Sequence, residues 1–195
     1  MCHAFLRDAR FWLLLLAIDR DLAEEARQGR CRLCGGPLHC AHYRRKPRGV
    51  ERPRDLSVEF DFRLSFCCGR DGCRRRLTPP SVRFLGPKVY LGAVVVLVTA
   101  MRQGPTPTGL RKLRELFGAD RRTIARWQKL WREVFPATKF WRVAKARFMP
   151  PVEEGELPRS LLGAFAGSAL AEKLRAALRF LAPITIPGGL TVLAR

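Results

Sequence analysis

The chain has 195 residues, 47% of them hydrophobic, with a formal charge of +20 and a pI near 11.1. That length and apolar content exclude a disordered tail and allow one large domain or two small ones. The charge favours a polyanionic partner over an ordinary small-molecule substrate.

The excess charge is not spread evenly. Residues 1–30 hold five Lys or Arg against five acids, and residues 151–195 hold five against four. Residues 31–90 hold fourteen against five, and residues 91–150 thirteen against three. A composition bias would distribute its cations and acids together, whereas contact with phosphates concentrates the cations, because each contact releases a condensed counterion. The middle of the chain is therefore the expected nucleic-acid footprint.

In chain order, residues 1–29 are expected to form an N-terminal amphipathic helix, with Phe11, Leu14, Leu15, Ile18 and Leu22 on its apolar stripe. The run FWLLLLAI is far shorter than the roughly 20 residues of a membrane span, and no secretory cleavage pattern follows it. No membrane partner is expected. Seven cysteines, an odd number without export signals, fit a reduced cytoplasmic chain whose thiols bind metal or lie buried. Cys2 and His3 read as incidental.

Residues 30–87 change in character to Gly, Pro, Cys and Arg, with LSVEFDFRLSF (Leu56 to Phe66) read as a strand whose Val58, Phe60, Phe62, Leu64 and Phe66 share a face. So small a core needs a staple. Cys31 and Cys34, in CRLCG, set two thiolates on one turn; SFCCGRDGC supplies a second pair, Cys68 and Cys73. Four thiolates suit a closed, tetrahedral structural Zn²⁺, and two such knuckles joined by strands describe a zinc ribbon. Cys68 is preferred to Cys67 because the shorter CxxxxC loop closes more easily. His39, Cys40 and His42 are spare ligands.

Residues 88–136 begin with KVYLGAVVVLVTAM, where β-branched residues favour a strand and length favours a buried helix; helix is the reading adopted. GPTPT breaks the chain, with Thr106 as a cap before Pro107. GLRKLRELF follows as a helix burying Leu110, Leu113, Leu116 and Phe117. Gly118 suits its left-handed end and Asp120 the cap of the next helix, RRTIARWQKLWREVF. On that second helix Ile124, Trp127, Trp131 and Val134 cluster opposite Arg122, Arg126 and Lys129. Helix, turn and helix place Arg121, Arg122 and Arg126 at a major groove and Lys129, Arg111 and Lys112 on phosphates. The runs RRKPRG (Arg44, Arg45, Lys46, Arg48) and Arg74, Arg75, Arg76 add basic arms beside the metal site. Residues 137–195 are expected to form a linker and a last helix at 167–182, which packs on the protein's own core or docks a partner.

CRLCG, FCCGRDGC, the CRRRLTPPSVRFLG link and LRELFGADRRTIARWQKLW, together spanning about residues 30–135, resemble the N-terminal zinc ribbon and helix-turn-helix of bacterial insertion-sequence transposases. The resemblance implies structural zinc, a double-stranded DNA partner and work beside a transposase or nuclease. In those transposases a catalytic domain with three spaced carboxylates comes next. After Phe135 this sequence offers Glu153, Glu154, Glu156 and Glu172, three of them in one linker, so binding without cleavage is expected. The expected fold class is α+β, mainly helical, with a small β zinc ribbon between the N-terminal helix and the helix-turn-helix. Two other functions fit parts of the sequence: a His-Asn-His nuclease centred on His42, and a ribonucleoprotein subunit stacking RNA on Phe140, Trp141 and Phe148.

Overall fold

The computed structural model describes residues 4–49, 55–85, 90–101 and 107–191. Cys2, His3, Lys88 and, of the GPTPT break, Gly104, Pro105 and the Thr106 cap lie outside these residues; Pro107 and Thr108 open a helix. The fold is α+β: seven α-helices are described, with a small three-stranded antiparallel sheet and a two-stranded one.

Helix α1 (Ala9–Gln28) starts where the Asp8 carboxylate accepts the Arg10 N–H, and it buries Phe11, Trp12, Leu15, Leu16 and Ile18. Leu14, expected on that stripe, is 40% exposed; Trp12 and Leu16 take its share of the core. The Trp12 indole donates to Leu6 O at 2.8 Å, which turns the buried face toward the preceding 3₁₀ turn.

Helix α2 (Gly92–Thr99) is buried on every side from Gly92 to Val98 and packs between two later helices, Arg121–Lys129 and Leu170–Leu181. Each valine gives up at most about 0.7 kcal/mol of helix propensity against roughly 1.5–3 kcal/mol from burial. Burial decides, and the β-branched run is helical. Gly92 is needed where Leu178 closes in, since a Cβ there would lie 3.2 Å from its Cδ2.

Helices α3 (Pro107–Phe117) and α4 (Arg121–Lys129) are joined by Gly118, at φ +61°, and by Asp120, whose carboxylate accepts the Thr123 N–H at 2.6 Å. Leu113, Phe117, Ile124 and Trp127 are buried, but Leu116 is 46% exposed. Past Lys129 the helix widens into a π-turn, Leu130–Val134, closed by Phe135 N–H to Leu130 O at 2.7 Å. The extra residue per turn rotates the following side chains, so Leu130, Trp131 and Phe135 are buried while Val134 moves to the margin.

Helix α5 (Lys139–Ala144), capped by Thr138, carries Trp141 into a cluster with Phe135, Phe148 and Phe180. Trp141 is fully buried and its indole donates to Glu154 at 3.0 Å; Phe140 and Phe148 are half-buried against Phe180. The rings proposed for RNA stacking are spent on the core instead. Helix α6 (Arg159–Gly163) leads to α7 (Leu170–Leu181), which buries Leu174, Ala177, Leu178 and Leu181 against α2 and α6. The last helix therefore packs on the chain's own core.

Strand β1 (Leu38–Cys40) pairs antiparallel with β4 (Phe66–Cys68), which pairs with β5 (Arg76–Leu77); β2 (Tyr43–Arg44) pairs with β3 (Phe62–Arg63). The expected strand over 56–66 is largely replaced: Val58–Asp61 is a 3₁₀ turn, Val58 is 64% exposed, and only Phe62–Arg63 and Phe66 are in strands. The cause is a buried polar network. Asp19 on α1 accepts from Ser81 Oγ at 2.6 Å, the Val82 N–H at 2.6 Å and Arg83 Nε at 2.8 Å. The Arg83 guanidinium donates onward to Phe60 O and Phe62 O, which bends the chain around it. Ser81 N–H donates to Thr185 Oγ1, so the network also reaches the 3₁₀ turn Ala182–Thr185 that follows α7.

Candidate metal centre and basic surfaces

The Cys31 knuckle turns through Gly35 at φ +69°, with Gly35 N–H donating to Cys31 O and Cys31 N–H to Gly36 O. The Cys73 knuckle turns through Gly72 at φ +80°. Pairing of β1 with β4 sets Leu38 opposite Cys68 and closes the two knuckles on each other.

The sulfurs of Cys31, Cys34, Cys68 and Cys73 all lie within 4.8 Å of one another. Cys31 and Cys73 Sγ are 3.8 Å apart, and Cys34 and Cys68 Sγ 3.5 Å. Four sulfurs at the usual Zn–S distance around a tetrahedral ion lie about 3.8 Å from each other. The donor set and its spacing fit a closed metal site.

Backbone donors prepare the thiolates. The Leu33 and Cys34 N–H groups point at Cys31 Sγ and hold its thiol down to about 7. At Cys68 the Arg70 N–H, 3.5 Å from the sulfur, also favours the thiolate. Burial and the neighbouring thiols outweigh it, and push Cys68 up to about 12 without an ion. A bound cation would supply the missing compensation, because thiolates crowded in this way repel one another until a positive charge sits among them.

Cys67 faces the other way on β4, with its Sγ 3.3 Å from Arg74 O, outside the cluster. His39 is opposite Cys67 in the β1–β4 register and Cys40 is exposed, so neither belongs to the four. His42 accepts the Ser65 N–H at Nδ1, 3.1 Å away, and its ring meets Phe66 edge-on. It braces the turn between β3 and β4.

Gly36 is the position that sequence inspection passes over. A Cβ there would lie 3.0 Å from Cys68 Sγ and 3.3 Å from Cys34 Sγ. Gly36→Ala is expected to lower metal affinity roughly tenfold by crowding two ligands, as read by chelator competition. Unchanged affinity would refute this account.

The expected nucleic-acid residues are nearly all exposed. Arg44 lies on β2, 3.7 Å from Asp61, and Lys46 and Arg48 follow it on the surface. Arg45 is half-buried, its guanidinium 5.9 Å from the Phe84 ring centroid. Arg74, at φ +44°, pairs with Asp71. Arg75 and Arg76 are exposed, and Arg76 lies over the Tyr43 ring at 5.7 Å. That contact brings the two arginine runs together from β2 of one sheet to β5 of the other. On α3, Arg111 and Lys112 are exposed; on α4, Arg121, Arg122, Arg126 and Lys129 are exposed, the last 3.6 Å from Glu133. Arg32, inside the first knuckle, also faces solvent and was not singled out by its motif, since CxxC places no demand on its middle residues.

Among the described residues no helix is long and apolar enough to cross a membrane. Compared with protein families, with curated proteins and with solved structures, the chain finds no match.

Proposed function

We propose that the protein is a DNA-binding factor whose four cysteines hold a structural zinc and whose α3–turn–α4 unit acts as a helix-turn-helix. In this reading it serves a bacterial mobile element as an accessory or regulator of transposition in the cytoplasm, at the nucleoid. It leaves cutting to a transposase or nuclease partner. The observation that carries the reading is the division of α4: Ile124 and Trp127 are buried while Arg121, Arg122, Arg126 and Lys129 face solvent. A helix so divided can lie in a major groove without losing its own packing. The two arginine runs beside the thiol cluster supply phosphate contacts.

In this role zinc supplies only rigidity. The knuckles and the three-stranded sheet hold Arg74, Arg75 and Arg76 in one orientation, and the Asp120 cap fixes the entry of α4.

Zinc-loaded protein titrated with duplex DNA over a salt series should show affinity falling steeply with salt. Arg126→Ala is expected to weaken cognate binding by roughly 1–3 kcal/mol and relax sequence choice, while Lys129→Ala weakens all sequences alike. Equal losses on cognate and random DNA for both variants would remove the groove assignment. Magnesium-dependent cleavage abolished by His42→Ala would replace the whole reading with a nuclease.

A further inference from the structure

Between the first knuckle and β5 the surface opens into a cup of about 390 Å³, lined by Cys31, Arg32, Leu33, Leu38, Arg75, Arg76 and Leu77. Its walls are apolar: Leu38 is buried, Leu77 half-buried, and Leu33 stands 73% exposed at the rim. Among the described residues its charged groups are three exposed arginines, and no carboxylate lines it. None of the three has an ion-pair partner among the described residues, whereas the neighbouring Arg74 is paired with Asp71.

An apolar hollow ringed by guanidinium groups asks for a ligand that is flat and uncharged in the middle and anionic at its edges. A duplex presents phosphates but keeps its bases stacked inside. A volume near the lower end of the roughly 300–1,000 Å³ of small-ligand pockets admits one base with its sugar and excludes a helix. Arginine forks match phosphate oxygens in pairs.

We infer that this cup receives one unpaired nucleotide, its base against Leu33, Leu38 and Leu77 and its flanking phosphates on Arg32, Arg75 and Arg76. The inference rests on the nucleic-acid reading above and adds a substrate class: DNA carrying a bulged, looped or extruded base. The metal ligand Cys31 forms part of the floor, so the cup depends on the knuckle being closed.

The test uses the full zinc-loaded chain and two short duplexes, identical except that one carries a single unpaired 2-aminopurine. The unpaired form is expected to bind about tenfold tighter, the scale of burying roughly 50 Å² of a base's apolar face against the leucines. The 2-aminopurine emission should rise on binding, because the base leaves its stacked neighbours and no aromatic side chain lines the cup. Leu33→Ala should collapse the ratio of the two affinities and abolish the rise; zinc content and circular dichroism check that the variant is folded. Arg32→Gln should lower the ratio as well. Equal affinity for both duplexes with no emission change overturns this inference and leaves duplex binding standing. Failure to bind either duplex overturns both readings. Displacement by polyglutamate as effective as by the bulged duplex also overturns it, in favour of an acidic protein partner.

Discussion

Cys68→Ala is expected to abolish stoichiometric zinc binding and to unfold the two knuckles with strands β1, β4 and β5, while the helical core, with Leu56 and Phe60, survives. The apolar residues explain the separation. Ala23, Cys31, Leu38, Leu64, Phe66 and Cys68 form one small buried cluster, and the residues of α2, α4 and α7 belong to a second, much larger one. With three sulfurs and no ion, the small cluster has too little buried area to hold its short strands. A structural zinc contributes on the order of 10–16 kcal/mol to such a unit, far more than the six residues can replace. The measurements are metal content and hydrogen exchange. Protection should vanish in β1, β4 and β5, and the far-UV helical signal should persist. Cys67→Ala is the control, since its sulfur lies outside the cluster, and it should retain one zinc per chain. Retention of zinc by Cys68→Ala would dismiss the assigned ligand set.

Asp19→Ala is expected to cost about 3–5 kcal/mol of unfolding free energy, as expected when one partner of a buried ion pair is removed. The side chains of Asp19 and Arg83 are 1% and 0% exposed, so solvent does not screen the charge left behind. Asp19 also receives Ser81 and Val82, and Arg83 holds Phe60 and Phe62; the loss should therefore be felt in α1, in the 3₁₀ turn Val58–Asp61 and in the 3₁₀ turn after α7. Urea unfolding monitored by tryptophan fluorescence reads the effect. The double variant Asp19→Leu, Arg83→Met should lose less than the sum of its single changes, because neither charge is then stranded. A single-variant loss below about 1 kcal/mol would mean that water reaches the carboxylate and the network is not a lock.

Much of this architecture is legible in the sequence because it is written in short-range terms. The stripe of α1, the buried faces of α3 and α4, the Gly118 turn and the Asp120 cap each depend on residues within a few positions of one another. The thiol cluster was legible for the same reason: each knuckle is a local turn, and two of them imply a meeting. Leu56 to Phe66 shows the limit. Its alternation of apolar residues is a strand pattern, yet Arg83, more than twenty residues away, takes the carbonyls of Phe60 and Phe62 and turns the chain there. Val134 shows it again, since the π-turn that displaces it answers to the packing of Trp131 and Phe135 and leaves no mark in the spacing.

The sequence by itself determined where α1, α3, α4 and α7 lie, where the positive charge gathers and which cysteines could meet, but not α5 or α6, which fall in the stretch read as a linker. Tertiary structure alone decided that Cys68 faces inward and Cys67 outward, because that choice is set by the register of β4 against β1. It also joined Asp19 to Arg83 across 64 positions and opened the cup between Leu33 and Leu77. Local periodicity fixes which side of an element is apolar; only chain closure fixes what that side, or a lone buried charge, will meet.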